Sequence, residues 1–152
     1  MRRSLERPAD LAEIIQRIYQ LTEHSSKRWG RMSCAQMMVH CKRILEVGTG
    51  KTVLPETPAI IRVLGICAKK EILFFNNGIP RNMPTYGVVK LKESCNFEES
   101  RADLLIALEE FVKALKRDEL IPKHALFGEM SKQHWGFLQY KHLNHHLKQF
   151  GV

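Results

Sequence analysis

Apolar residues recur at three- and four-residue spacing in four separate stretches of this chain, a period that buries one stripe of a helix and cannot line one face of a strand. The clearest stretch carries Leu104, Leu105, Leu108, Phe111, Val112 and Leu115. Asn96 opens it with Glu99 three residues on, a capping-box pattern, and the period fades by Arg117. A first helix is predicted from about Pro8 to His24 on Leu11, Ile14, Ile15, Ile18 and Leu21. Pro8 suits its first turn, where a missing N–H costs nothing. A second helix runs from an N-cap at Ser33 to about Val47, ended by Gly48 and Gly50, with Met37, Cys41, Ile44 and Val47 as its buried stripe. The last runs from Ser131 to about Gln149, with Gly151 just beyond. Four such helices predict an all-α fold, a four-helix bundle formed as a single domain over residues 1–152.

The segment from about Gly50 to Cys95 is less regular and reads as a long crossover between the second and third bundle helices. Pro58 to Phe75 carries an extra short apolar helix, and NNGIPRNMPTYG after it is dense in turn formers. A short extended piece is expected at Gly87 to Leu91. Gly30-Arg-Met-Ser33 and Gly128-Glu-Met-Ser131 echo one another ahead of two histidine-bearing helices. The echo reads as shared N-cap chemistry, not as a repeat.

Composition excludes several classes. No apolar run reaches the roughly 20 residues of a membrane span; the longest candidate, Ala59 to Phe75, is broken by Arg62, Lys69, Lys70 and Glu71. The opening residues MRRSLERPAD have no apolar stretch behind their charges, so they do not read as a signal peptide, and a cytoplasmic location is expected. The four cysteines form no CxxC pair and read as reduced, mostly buried small hydrophobes. The net charge of +8 suits an anionic partner, yet the Lys and Arg residues are scattered and no nucleic-acid motif is present. Nucleic acid is therefore an unfavoured partner, and a homodimer is left open.

Three of the seven histidines fall within YKHLNHHLKQF. Residues four apart on a helix differ by only about 40° around its axis, so His142 and His146 stand on one face a turn apart. That is the spacing at which two imidazoles hold one ion. Trp135 and Leu138 share their side, Tyr140, Leu143, Leu147 and Phe150 extend the apolar arc, and Lys141, Asn144 and Lys148 mark solvent. The pair is thus buried, with His145 at the edge of the arc. A buried imidazole is costly unless its nitrogens find partners. A metal is one such partner, and His40, inward-facing on the second helix, is the natural third ligand. Hydrogen bonding in the core satisfies the same need, and the spacing alone does not choose between them.

Rival chemistries are weaker. There is no GxSxG elbow, no GxxxxGK[ST] loop and no HExxH. Gly48-Thr-Gly50-Lys51-Thr52 reads as a helix end. His124 reads as a loop cap, with a supporting position behind the metal ligands as the alternative. Trp29 and Trp135 read as packing anchors, and Cys41 points about 100° away from its neighbour His40 around the helix.

RWGRMSCAQMMVHC, PRNMPT and HALFGEMSKQHWGFLQYKHLNHHLKQFG together resemble a bacterial family of unknown function within the DinB-like superfamily. The resemblance implies a four-helix bundle with a long crossover and a metal held by His40, His142 and His146. Characterised relatives in that superfamily include S-transferases and isomerases that use low-molecular-weight thiols. The expected function is accordingly a metal-dependent enzyme, S-transferase- or hydrolase-like, acting on a small molecule. A divalent ion, zinc or nickel, would activate a thiol or a water, with His145, Tyr140 and His124 as supporting groups. The alternative is a non-catalytic bundle with a structural or vestigial metal site, acting through partner binding.

Overall fold

The computed structural model describes residues 2–74, 79–81, 86–89 and 94–152. Its helices are α1 (Pro8–Gln20), α2 (Cys34–Gly48), α3 (Ala59–Phe74), α4 (Phe97–Arg117) and α5 (Lys132–Gln149). A short antiparallel pairing, β1 (Lys123–His124) with β2 (Gly128–Glu129), precedes α5. α1, α2, α4 and α5 make the bundle, and α3 is the extra helix of the crossover. α2 lies along α4, while α5 touches all the other helices and closes the core. That core holds Ile14, Ile18, Met37, Leu45, Leu104, Leu108, Phe111, Leu115 and Trp135. Each such side chain, fully buried, is worth roughly 1.5–3 kcal/mol of transfer free energy.

The caps show why the helices start where they do. Ser33 Oγ accepts from Gln36 N at 3.1 Å, and Gln36 Oε1 accepts from Ser33 N at 2.9 Å. Ser131 Oγ accepts from His134 N at 3.2 Å, and His134 Nδ1 accepts from Ser131 N at 3.4 Å. The two echoing segments thus carry the same reciprocal cap, and Gly30 and Gly128 both hold positive φ ahead of it. At Asn96 only the forward bond forms, from Glu99 N to Oδ1 at 3.0 Å.

Several boundaries differ from the expectation. α1 stops at Gln20 and not at His24. Thr22 N donates to Ser25 Oγ at 2.9 Å, and Ser25 N to Thr22 O at 3.0 Å. This local turn outcompetes another helical turn. Gly48 is the last residue of α2 and not its breaker, because the helix needs it for packing: a Cβ there would sit 2.6 Å from Phe111 Cε2. Gly50, at φ 76°, makes the actual exit. Gly87–Val89 is a 3₁₀ turn closed by Val89 N to Tyr86 O at 3.1 Å, not the extended piece expected over Gly87 to Leu91. Lys90 and Leu91 lie outside the described residues, as does the NMPT portion of PRNMPT. Among the described residues no helix is long and apolar enough to cross a membrane.

Candidate metal centre

His40 occupies the middle of α2, three residues after Met37, and is carried inward by the same stripe. His142 and His146 stand one turn apart near the end of α5. Packing α5 on α2 brings the three rings together: centroids are 5.1 Å apart for His40 and His142, 4.9 Å for His40 and His146, and 4.6 Å for His142 and His146. One nitrogen from each lies within 4.8 Å of the other two.

Two of the rings are oriented from behind. His40 Nδ1 donates to the carbonyl of Val89 at 3.1 Å, so its Nε2 is the lone-pair nitrogen. His146 Nδ1 donates to Gln149 Oε1 at 2.8 Å, and Gln149 Nε2 in turn donates to the carbonyl of Trp29 at 2.8 Å. Fixing the proton on Nδ1 and turning Nε2 toward the centre is the arrangement that metal-ligating histidines share. His142 lacks such a tie: its Nδ1 is buried with no hydrogen-bond partner. The Nε2 atoms of His40 and His142 are 3.2 Å apart. Two nitrogens on one tetrahedral zinc, at about 2.0–2.1 Å each, stand about 3.3–3.4 Å from one another. One pair already has that separation and the third nitrogen lies within 4.8 Å of both, so the residues present fit a small divalent ion once the rings draw together.

Electrostatics keeps the rings in the ligating form. Burial holds His40 below its ordinary range against the opposing pull of the Val89 carbonyl. Burial, then the neighbouring imidazoles, hold His142 well below it. Burial first and His40 second press His146 down to about 3. All three are neutral at pH 7, with lone pairs available. Among the described residues no further His, Cys, Asp or Glu joins the cluster. Were an ion bound, three protein ligands would leave a coordination position for another group, as in catalytic zinc sites and unlike closed structural ones.

The structure does not gather every residue singled out from the sequence. His145 borders the cluster, its ring 5.0 Å from that of His146, and its N–H donates to the carbonyl of Ile79. Tyr140 instead accepts from Arg3 at 2.6 Å and donates to Glu13 at 3.4 Å, toward α1. His124 lies in β1, where its Nδ1 accepts from Leu126 N at 3.0 Å and Phe127 N at 3.3 Å and its ring stacks on Phe127. It caps a turn and is not part of the cluster. Cys41 donates to Met37 Sδ at 3.7 Å, and burial pushes its thiol up, away from the thiolate a ligand must be. Lys51 of the GTGKT segment pairs with Glu110 at 2.7 Å, as a helix end does. A cavity of about 510 Å³ opens beside the end of α2 between Val53, Arg62 and Ile121, and none of its lining residues belongs to the cluster.

Two supporting groups escaped the sequence. Gln149 was legible, since it follows His146 by three positions and shares its face. The Val89 carbonyl was not, because a backbone acceptor 49 residues from its partner leaves no side-chain signal.

The family of proteins of unknown function DUF1569 matches residues 1–151. The chain belongs to that family. No curated protein and no solved structure matches this DUF1569 chain, so the chemistry of the site rests on its own residues.

Proposed function

We propose that this DUF1569 protein is a DinB-like metal-dependent enzyme in which His40, His142 and His146 hold one divalent ion through their Nε2 atoms. The observation that carries the reading is the convergence of three neutral imidazoles from two helices, two of them held by Nδ1–H donation to carbonyl oxygens. A zinc or nickel ion held there would supply Lewis-acid chemistry, lowering the pKa of a thiol or a water toward neutrality. The chain itself orients His40 and His146 from behind and keeps the three rings neutral. The reaction is an S-transfer or a hydrolysis on a small molecule, with a low-molecular-weight thiol as the co-substrate in the first case.

The deciding experiment is metal content by mass spectrometry of the purified protein beside a His142→Ala/His146→Ala variant. About one equivalent of zinc, nickel or a similar ion in the wild type, absent from the folded variant, is the expected result. A wild type that carries no metal and takes up none on incubation with these ions refutes the reading. A closed, purely structural ion is distinguished by loading cobalt and adding a small thiol: an open position changes the visible spectrum, a closed one does not.

A further inference from the structure

Arg81 stands at the edge of this cluster without an ion-pair partner among the described residues. Arg81 is exposed, and its guanidinium lies over the ring of Trp29, 4.2 Å from the centroid. Among the described residues no carboxylate pairs with it; Glu13, Glu98, Asp103, Glu109 and Glu110 are each held by another cation. Stacking on an indole holds a guanidinium by its face and leaves its N–H edge free to bind a planar oxyanion.

The position is fixed from several directions. The segment carrying Arg81 is tied down two residues earlier, where the Ile79 carbonyl accepts from His145. Trp29 packs edge-on against His145 at 5.6 Å, and its own carbonyl receives Gln149, the residue that orients His146. Arg81 is close enough to His145 for its charge to act on that ring, and the His145 ring is 5.0 Å from that of His146. Among the described residues the buried indole N–H of Trp29, the ring on which the guanidinium stacks, has no acceptor.

We infer that Arg81, stacked on Trp29 beside His145, binds the oxyanion of a small acidic substrate or co-substrate whose other end reaches the three-histidine centre. This deepens the reading above and rests on it for the reacting end of the ligand, though not for the acidic end. The ligand is a carboxylate or phosphate bearing its thiol or electrophile a few bonds away. Arg81 is a binding residue in this scheme and contacts the ligand's charge, not the bond that changes.

The chain has two tryptophans, which makes the test direct. Trp135 Nε1 already donates to the Ile121 carbonyl at 2.8 Å, so its indole resonance serves as an internal control. The Trp29 indole ¹H–¹⁵N signal, assigned with Trp29→Phe, is followed during titration with 3-mercaptopropionate and with its uncharged amide. Zinc-loaded and metal-free protein are both titrated. The acid is expected to shift the Trp29 signal saturably at about tenfold lower concentration than the amide, a modest preference because Arg81 is solvent-exposed. Arg81→Gln is expected to abolish that preference while leaving zinc content and the Trp135 signal unchanged. Inorganic phosphate competing against the acid tells which oxyanion is favoured. Equal shifts by acid and amide, a preference that survives in Arg81→Gln, or no shift at Trp29 with either compound overturns the inference. If the protein takes up no zinc, the metal reading fails alone, because the metal-free titration still reads the acid preference directly.

Discussion

His124 offers a prediction in which the pH dependence can be worked from the structure. Its Nδ1 accepts two backbone N–H groups, from Leu126 at 3.0 Å and Phe127 at 3.3 Å. Protonating that nitrogen would turn both contacts into donor facing donor. Burial first, and Lys69 second, lower its pKa from 6.5 to about 4. The neutral ring is thus favoured in the folded chain, and the unfolded chain binds the extra proton. By linkage, the His124 contribution is present in full above pH 6.5 and is lost as the pH falls from 6.5 toward 4. At about 1.4 kcal/mol per pH unit the whole gap is worth about 3 kcal/mol, of which about 2 kcal/mol is gone by pH 5. The residue is 7% exposed, so solvent screening takes little from these figures.

The matched variant is His124→Asn, whose Oδ1 can take the place of Nδ1 as acceptor but does not titrate. It sacrifices the stack on Phe127, at 4.7 Å between centroids, so it starts less stable at pH 7.5. Urea unfolding of both proteins at pH 7.5 and pH 5 gives the difference that matters, since the three histidines of the cluster contribute equally to both. The stability gap should move by about 2 kcal/mol in favour of the variant at pH 5, roughly 1 M in urea midpoint. A gap that stays constant, or a His124 ring resonance that titrates near the ordinary value, would show that the turn does not need the neutral ring.

Gln149→Met keeps the volume but removes the acceptor that orients His146 and the donor to Trp29; zinc affinity, by competition with a chromophoric chelator, should fall about ten- to hundredfold. Gly48→Ala drives a Cβ to 2.6 Å from Phe111 Cε2, and Phe111 is fully buried and cannot swing aside. After the gain in helix propensity the variant should lose about 1–2 kcal/mol in urea unfolding. Gly87→Ala, where a Cβ meets nothing within 4 Å, should change stability by less than about 0.5 kcal/mol.

The bundle was legible because its information is periodic. Ile14 and Ile18 on α1, or Leu104, Leu108, Phe111 and Leu115 on α4, announce both the element and its buried face. What the period cannot announce is short structure and local competition. Two-residue strands such as Lys123–His124 have no period, and the Thr22–Ser25 turn that ends α1 early is a hydrogen-bond contest between side chain and helix. α3 shows a further limit. Its apolar Ile60, Ile61, Val63 and Leu64 are exposed, because α3 is held through Gly65 against Leu126 and through Ile72 and Leu73 at its far end. Apolar sequence predicts the helix there, but not which neighbour it meets.

At the cluster the division is sharper. Spacing along α5 sets His142 beside His146 without any tertiary knowledge, whereas joining His40 to them requires the packing of α2 on α5. Choosing between a hydrogen-bonded core and a metal centre requires the tautomers. With its proton on Nε2, His142 can donate to His40 across 3.2 Å, but its Nδ1 is then a buried acceptor without a donor. One helical turn earlier, Gln139 Oε1 is also a buried acceptor without a donor, its amide N–H committed to the Ile44 carbonyl. In that state two acceptors are stranded on one face of α5, each costing about 1–3 kcal/mol. With its proton on Nδ1, His142 instead turns its Nε2 lone pair toward that of His40, 3.2 Å away, an arrangement that a cation between them would satisfy. In neither tautomer do the described residues satisfy both nitrogens of His142; in the second a bound cation would satisfy Nε2, and that is the ground on which the metal reading is proposed.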